Sequence, residues 1–220
     1  MKGGKPFPFL LLAIVGVSIV VIRLYVVSLF VVDGRSMFPT LTGGEPEGAS
    51  SFGIVRFFEG IFHPSKERVL VSRLSDPERC DVVVFHPPGS AGDLRDEDYE
   101  KMDFVSNLYY KLPFIENHRF FIKRVLAVGG DRVAIRDSKV IVNGIEQDDS
   151  YTMPTRKREN APEREVPQGH VFLMGDNRGN SVDSRQLGFI PLEEVQGVAL
   201  AVFWPWDDRF GSLRSSCSPG

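Results

Sequence analysis

The sequence predicts a mainly β domain tethered to a membrane by one N-terminal helix. Three observations carry the prediction. The 220 residues include 21 glycines, 15 prolines and 17 phenylalanines, which suits short strands and turns better than a helical bundle. Runs rich in Val, Ile and Phe, among them residues 81–85 and 119–128, stop at the turn signals Pro87-Pro88 and Gly129-Gly130. Residues 7–22 form an unbroken uncharged stretch of 16, bounded by Lys5 and Arg23.

As a helix that stretch rises about 24 Å, and Lys5 and Arg23 can snorkel to the two boundaries of a core about 30 Å thick. Residues 6–27 therefore read as a transmembrane anchor, with residues 1–5 on the cytoplasmic side, where basic residues collect. A cleaved secretory signal is the competing reading. Apolar sequence continues past Arg23 with no small-x-small site, so the anchor is expected to be retained. An extracytoplasmic domain then follows over residues 28–210, with a tail at 211–220.

Residues 24–32 are β-branched and aromatic and carry the anchor into a first strand. Residues 42–51 read as a loop. Ile54, Val55, Phe58, Ile61 and Phe62 then share one helical face, as do Met102, Val105, Leu108, Tyr109 and Leu112 before Pro113. Between these two short helix signals lie strands at 69–71 and 81–85 and an acidic loop beginning at residue 90. Residues 132–135 and 139–142 form a hairpin through Asp137-Ser138, and Asn143-Gly144 marks another turn. Residues 152–167 mix Arg, Lys and Glu with proline and are expected to be a mobile solvated loop. Strands at 170–174 and 198–203 complete the chain.

Charge and cysteine content narrow the function. A formal charge of −3 leaves no electrostatic footprint for nucleic acid. Cys80 and Cys217 lie far apart; one disulfide is open to them, and two unpaired thiols are the expectation, with no CxxC or zinc pattern.

Two stretches carry chemistry. In VVDGRSMFPTL, residues 31–41, an apolar run ends at Asp33-Gly34 and a single hydroxyl, Ser36, follows. Pro39 disfavours helical backbone at Phe38, so this segment is expected to stay extended. Alone, such a serine fits a surface linker as well as a nucleophile. Its setting favours the second: it lies 13 residues past Arg23, at most about 45 Å when extended, and so close to the membrane. The other stretch is RFFIKRVLAV, residues 119–128, where period two places Phe121, Lys123 and Val125 on one face and Arg124 on the opposite one. Lysine on an inward strand face is unusual; an edge-strand lysine that deters aggregation is the alternative. Residues 175–185, GDNRGNSVDSR, are too polar for a core strand and read as a solvent loop or a hydrogen-bonded scaffold. They fail as a calcium loop, because counting from Asp176 the third, sixth and twelfth positions are Arg178, Ser181 and Leu187. No metal or cofactor is expected.

GRSMFPTL, FIKRVLAVGGD and MGDNRGNSVDSRQLGFIP, in that order behind an N-terminal anchor, resemble the type I signal peptidases of bacteria, and DVVVFHPP resembles a fourth block. The resemblance implies a mainly antiparallel β fold and a serine–lysine dyad, with Ser36 as nucleophile and Lys123 as general base. It further implies that Ser181 orients the lysine amine and that Asp183 and Arg185 form a supporting ion pair. Arg124, Asp176 and Arg178 match structural polar positions. Gly34 stands where many members have a serine that assists the oxyanion hole, so backbone N–H groups near Ser36 carry more of that work here. Gly129, Gly179 and Cys80 replace a frequent proline, aspartate and glycine. Residues 42–66 and 89–118 look like insertions. Implied partners are the signal peptides of exported preproteins, with small residues one and three positions before the scissile bond, and membrane lipid.

The chemistry is coherent without the family name. A serine needs a base, and lysine can serve only when neutral, which requires lowering its pKa from about 10.4 towards 8 at about 3 kcal/mol. His63, His86, His118 and His170 sit in no comparable motif, so a histidine base is the weaker reading. Two alternatives remain: a dedicated pilin or conjugation maturation protease, and a non-catalytic membrane-anchored β scaffold. The presence of both Ser36 and Lys123 argues against the scaffold.

Overall fold

The computed structural model describes residues 11–18, 25–32, 34–43, 67–88, 120–204, 208 and 210–213. The helix-patterned stretches 52–62 and 102–112, the acidic loop and most of the expected anchor lie outside them. Residues 11–18 are helical with every side chain exposed. No helix among the described residues is long and apolar enough to cross a membrane.

Two antiparallel sheets make up the body, as the β-rich composition predicts. The larger contains β1 (Val27–Val31), β2 (Arg68–Ser72), β3 (Val82–Phe85), β4 (Phe121–Val128), β9 (His170–Met174), β10 (Ile190–Pro191), β11 (Val195–Trp204) and β12 (Gly211–Ser212). Its spatial order is β1-β2-β11-β3-β4-β9-β10, with β12 beside β11. The smaller sheet runs β7-β6-β5-β8, from Ile145–Glu146, Lys139–Val142, Arg132–Arg136 and Ala161–Glu165. The expected hairpin is β5–β6, and its turn places Asp137 and Ser138 at φ of 48° and 68°.

Alternation along β3 and β4 sorts the core. Val82 and Val84, with Ile122 of β4, join Met37, Leu41, Val69 and Val71 in one apolar cluster. Val83 and Phe85, with Phe121 and Val125, join Val171, Leu173 and Ile190 in another. A third cluster, including Leu126, Ile135, Val142 and Phe172, fills the space between the two sheets. Burying even one such Val or Leu contributes about 1.5–3 kcal/mol, so these faces fix the strand register.

Four expectations are corrected. The chain does not stay extended after Ser36: it turns, with Phe38 N–H donating to Arg35 O at 3.2 Å and Leu41 N–H to Met37 O at 2.9 Å. The cause is burial, since Met37 and Leu41 are both fully buried and both must face the first cluster. Residues 152–167 are not a mobile solvated loop, because β8 forms there, pairs with β5, and is followed by the buried Val166. Charged residues hid it: β8 is an edge strand whose side chains are almost all exposed. Cys80 is disulfide-bonded rather than free. The one other cysteine in the sequence, Cys217, lies outside the described residues. Gly211–Ser212 and the buried Leu213, assigned to the tail, pair and pack with the sheet.

Candidate active site

Ser36 and Lys123 meet although 87 residues separate them. Lys123 Nζ donates to Ser36 Oγ at 2.7 Å and to the carbonyl of Ile122 at 2.8 Å. β4 delivers the lysine from a position opposite Val83; the turn after β1 delivers the serine. Lys123 is 3% exposed, and its amine lies 5.3 Å from the Phe121 ring centroid. Burial pushes its pKa down to about 8, against the pull of Asp183 and Asp176, which raise it. Neither carboxylate hydrogen-bonds the amine, so desolvation prevails. Near neutral pH a useful fraction of the amine is therefore unprotonated and able to accept a proton.

Next along β4, Arg124 is equally buried but paired. Its Nε and Nη2 donate to the two oxygens of Asp176 at 3.0 and 2.7 Å, Nη1 donates to Cys80 O at 2.9 Å, and the guanidinium lies 4.7 Å from the Tyr151 ring centroid. Thr40, in the turn after the serine, donates to Asp176 at 2.6 Å. The ion pair thus ties β4 to the loop beside Ser36.

Asp183 is fully buried and receives Arg185 Nε and Nη2 at 2.8 and 2.9 Å. It also accepts from Gly175 N–H at 3.0 Å and caps the short helix α1 (Ser184–Leu187), with Gln186 closing a capping box. Burial pushes this carboxyl up, but Arg185 outweighs that, with smaller help from Gly175 N–H and the Ser181 hydroxyl, and holds it below the usual carboxylate range. Arg185 reaches on to Glu159 at 2.8 Å. Ser181 lines the same cleft as the dyad, but its Oγ is buried without a well-formed hydrogen bond, and the second partner of the lysine is Ile122 O. Arg178 is buried with its Nε unpartnered.

Sequence reasoning passed over three residues. Thr40 and Gly175 are two of them: a Cβ on Gly175 would stand 2.3 Å from Ser181 Oγ and 2.5 Å from Ser36 O. Asn177 is the third, with its N–H donating to Ser36 O and its Nδ2 to Arg35 O, both at 3.0 Å. The available signal was its place between Asp176 and Arg178.

A cleft of about 950 Å³ opens over the dyad. Its apolar wall comes from Phe30, Val32, Val69, Val84, Phe120 and Ile122, and its polar end from residues 34–36 and 179–181. A smaller hollow of about 440 Å³ around Ile135, Arg185 and Phe189 contains neither Ser36 nor Lys123. No cluster of metal-ligating side chains occurs among the described residues.

Residues 7–204 match the family model described as signal peptidase, peptidase S26. The chain belongs to the signal peptidase family. It is 35% identical over 133 residues to a probable signal peptidase I-2 of Synechocystis, 60% of this chain and 51% of that protein. It is 32% identical over 178 residues to thylakoidal processing peptidase 1 of Arabidopsis thaliana, 79% of this chain and 41% of that one. The chain thus spans about half the length, or less, of these two relatives. Signal peptidase I of Bacillus caldolyticus is 27% identical and aligned over 93% of both chains.

Proposed function

We propose that the chain is a membrane-bound serine endopeptidase that removes N-terminal signal peptides from exported preproteins through a Ser36 acyl-enzyme. The observation that carries this reading is the 2.7 Å contact between Ser36 Oγ and a lysine whose amine is buried and easily deprotonated. Neutral Lys123 takes the hydroxyl proton as Ser36 Oγ bonds to the scissile carbonyl carbon. The carbonyl oxygen becomes the oxyanion. On collapse the C–N bond breaks, and the lysine returns its proton to the leaving amine, which is the new N-terminus of the mature protein. Water, deprotonated by the same lysine, then hydrolyses the ester and frees the signal peptide as a carboxylate.

The apolar wall of the cleft suits an extended peptide with small uncharged side chains. The apolar stretch that precedes β1 serves as the anchor, ending before Val26 and Val27 join the sheet, with the domain on the extracytoplasmic face. The exposed apolar side chains of helical residues 11–18 support this, as does a disulfide at Cys80, which forms in oxidising compartments. Ser181, Asp183, Arg185, Arg124, Asp176 and Arg178 form the supporting frame.

The test is a panel of purified preproteins incubated with the wild type, Ser36→Ala, Lys123→Ala and the double variant, with product N-termini read by mass spectrometry. Each single change is expected to lower turnover by about 10⁴-fold or more, and the double change by little more, because the pair acts as a unit. Cleavage by a folded Ser36→Ala protein at the wild-type rate would overturn the reading. Cleavage of one panel member alone would indicate a dedicated maturation protease.

A further inference from the structure

We propose that Asn177 is a positioning residue that aims the Ser36 N–H as the oxyanion donor; the inference rests on the protease reading above. Residues 176–178 form an isolated parallel bridge with Met153 and are held on two sides. On one side Met153 N–H donates to Asp176 O at 2.8 Å and Arg178 N–H to Met153 O at 3.1 Å. On the other side Asn177 faces the nucleophile, with its N–H on Ser36 O and its side-chain amide on Arg35 O. A carbonyl only accepts, so the amide must present its NH₂ group there. Two consecutive carbonyls of the nucleophile loop are thus pinned by one residue.

The geometric consequence follows from the peptide plane. The Arg35–Ser36 bond is trans, because the cis bond among the described residues is Phe38-Pro39. In a trans peptide the C=O and the following N–H point in opposite directions. Holding Arg35 O against Asn177 therefore turns the Ser36 N–H away from Asn177. Arg35 and Ser36 line the cleft and Asn177 does not, so the N–H is turned towards the cleft. It donates to no group among the described residues. In many enzymes a side-chain hydroxyl assists the oxyanion hole, but residue 34 here is a glycine. The chain consequently leans on a backbone donor, and a backbone donor is only as well aimed as its peptide plane. The segment itself is fixed, since Asp176 grips Arg124, the neighbour of Lys123 on β4. Asn177 thus holds donor, nucleophile and base in one frame.

The experiment compares wild type, Asn177→Ala and Asn177→Asp on a preprotein substrate across pH. The alanine change removes the side-chain bond but keeps the backbone one; the aspartate change keeps the shape and turns the donor into an acceptor facing a carbonyl. Both are expected to lower kcat by about tenfold to a hundredfold, with KM within about twofold, as for partial loss of an oxyanion donor. In the alanine variant the pH midpoint of kcat/KM is expected to stay near 8, because no charge near Lys123 changes, whereas the added carboxylate of the aspartate variant raises it. Thermal melts check folding, and if the alanine variant does not fold, the near-isosteric aspartate variant decides. Wild-type kcat in either folded variant overturns the proposal. A fall that comes with a moved pH midpoint in the alanine variant, or with a large rise in KM in either variant, also overturns it, by assigning Asn177 to the base or to substrate binding. Failure of the wild type itself to cleave any preprotein is a separate result and sinks the protease reading instead.

Discussion

Lys123 and Arg124 are consecutive on β4 and almost equally buried, yet only Arg124 has a carboxylate in contact, Asp176 at 2.7 Å. Two cations enter the interior side by side, and one is neutralised while the other is left to shed its proton. Giving the carboxylate to the arginine keeps it from the lysine, where it would hold the amine charged. The next four predictions follow from this division and from the packing around it.

The rate should follow the neutral amine. With Lys123 at about 8, kcat/KM is expected to rise tenfold per pH unit below that value and level off above it. A profile that is flat from pH 6 to 9 would exclude the lysine as base.

Stability should carry the opposite signature to that of a salt-bridged lysine. The folded pKa, about 8, lies below the 10.5 of a solvated lysine, so the folded state binds fewer protons between those values. The burial cost, about 3 kcal/mol at roughly 1.4 kcal/mol per unit, is present in full below pH 8 and fades as pH rises towards 10.5. Lys123→Met is thus expected to be inactive, at least as stable as wild type at pH 6 to 7.5, and to lose that advantage by pH 10. Thermal melts at pH 6, 7.5 and 9.5 measure it, and equal destabilisation at all three would mean an ordinary solvated lysine.

The paired charges should behave in the ordinary way. Arg124→Met leaves Asp176 buried without its partner and is expected to cost about 3–5 kcal/mol at pH 7. Asp183 is held below its usual value, so its contribution is present above about pH 4 and is lost as pH falls through the folded pKa. Asp183→Asn should therefore flatten the acid limb of the stability curve while weakening the fold at pH 7. Denaturant midpoints at pH 3, 5 and 7 check both statements.

Gly175→Ala should fail for lack of room. The added carbon meets Ser181 Oγ and the Ser36 carbonyl inside any real contact distance, and the second is backbone, which cannot swing away. Loss of activity with about 1–3 kcal/mol of destabilisation is expected. A fully active alanine variant would show that the serine loop moves freely.

Much of this was legible in the sequence, for a physical reason. Lys123 announced itself because period-two alternation put it between Phe121 and Val125, and the structure keeps that sorting. The segment after Ser36 was misread because local backbone preference at Pro39 was weighed without the burial of Met37 and Leu41, which requires knowing where the core lies. β8 escaped because an edge strand carrying Arg and Glu looks like a solvated loop until its partner β5 is known. Cys80 was read as free because the distance between two cysteines along the sequence says nothing about their distance in the fold. Asn177 was hidden because its partners are main-chain carbonyls, which leave no trace in side-chain patterns.

The strand order has a consequence for when the catalyst comes into being. β1 and β2, which flank Ser36 in the chain, are joined to β3 and the Lys123-bearing β4 through β11, a strand that begins only at Val195. A chain that is still being made or exported holds its nucleophile and its base on two separate halves of an unfinished sheet. Activity thus waits for nearly the last strand, and a chain ended at residue 194 is expected to cleave nothing. On the protease reading, the order in which the strands arrive keeps the unfinished chain harmless.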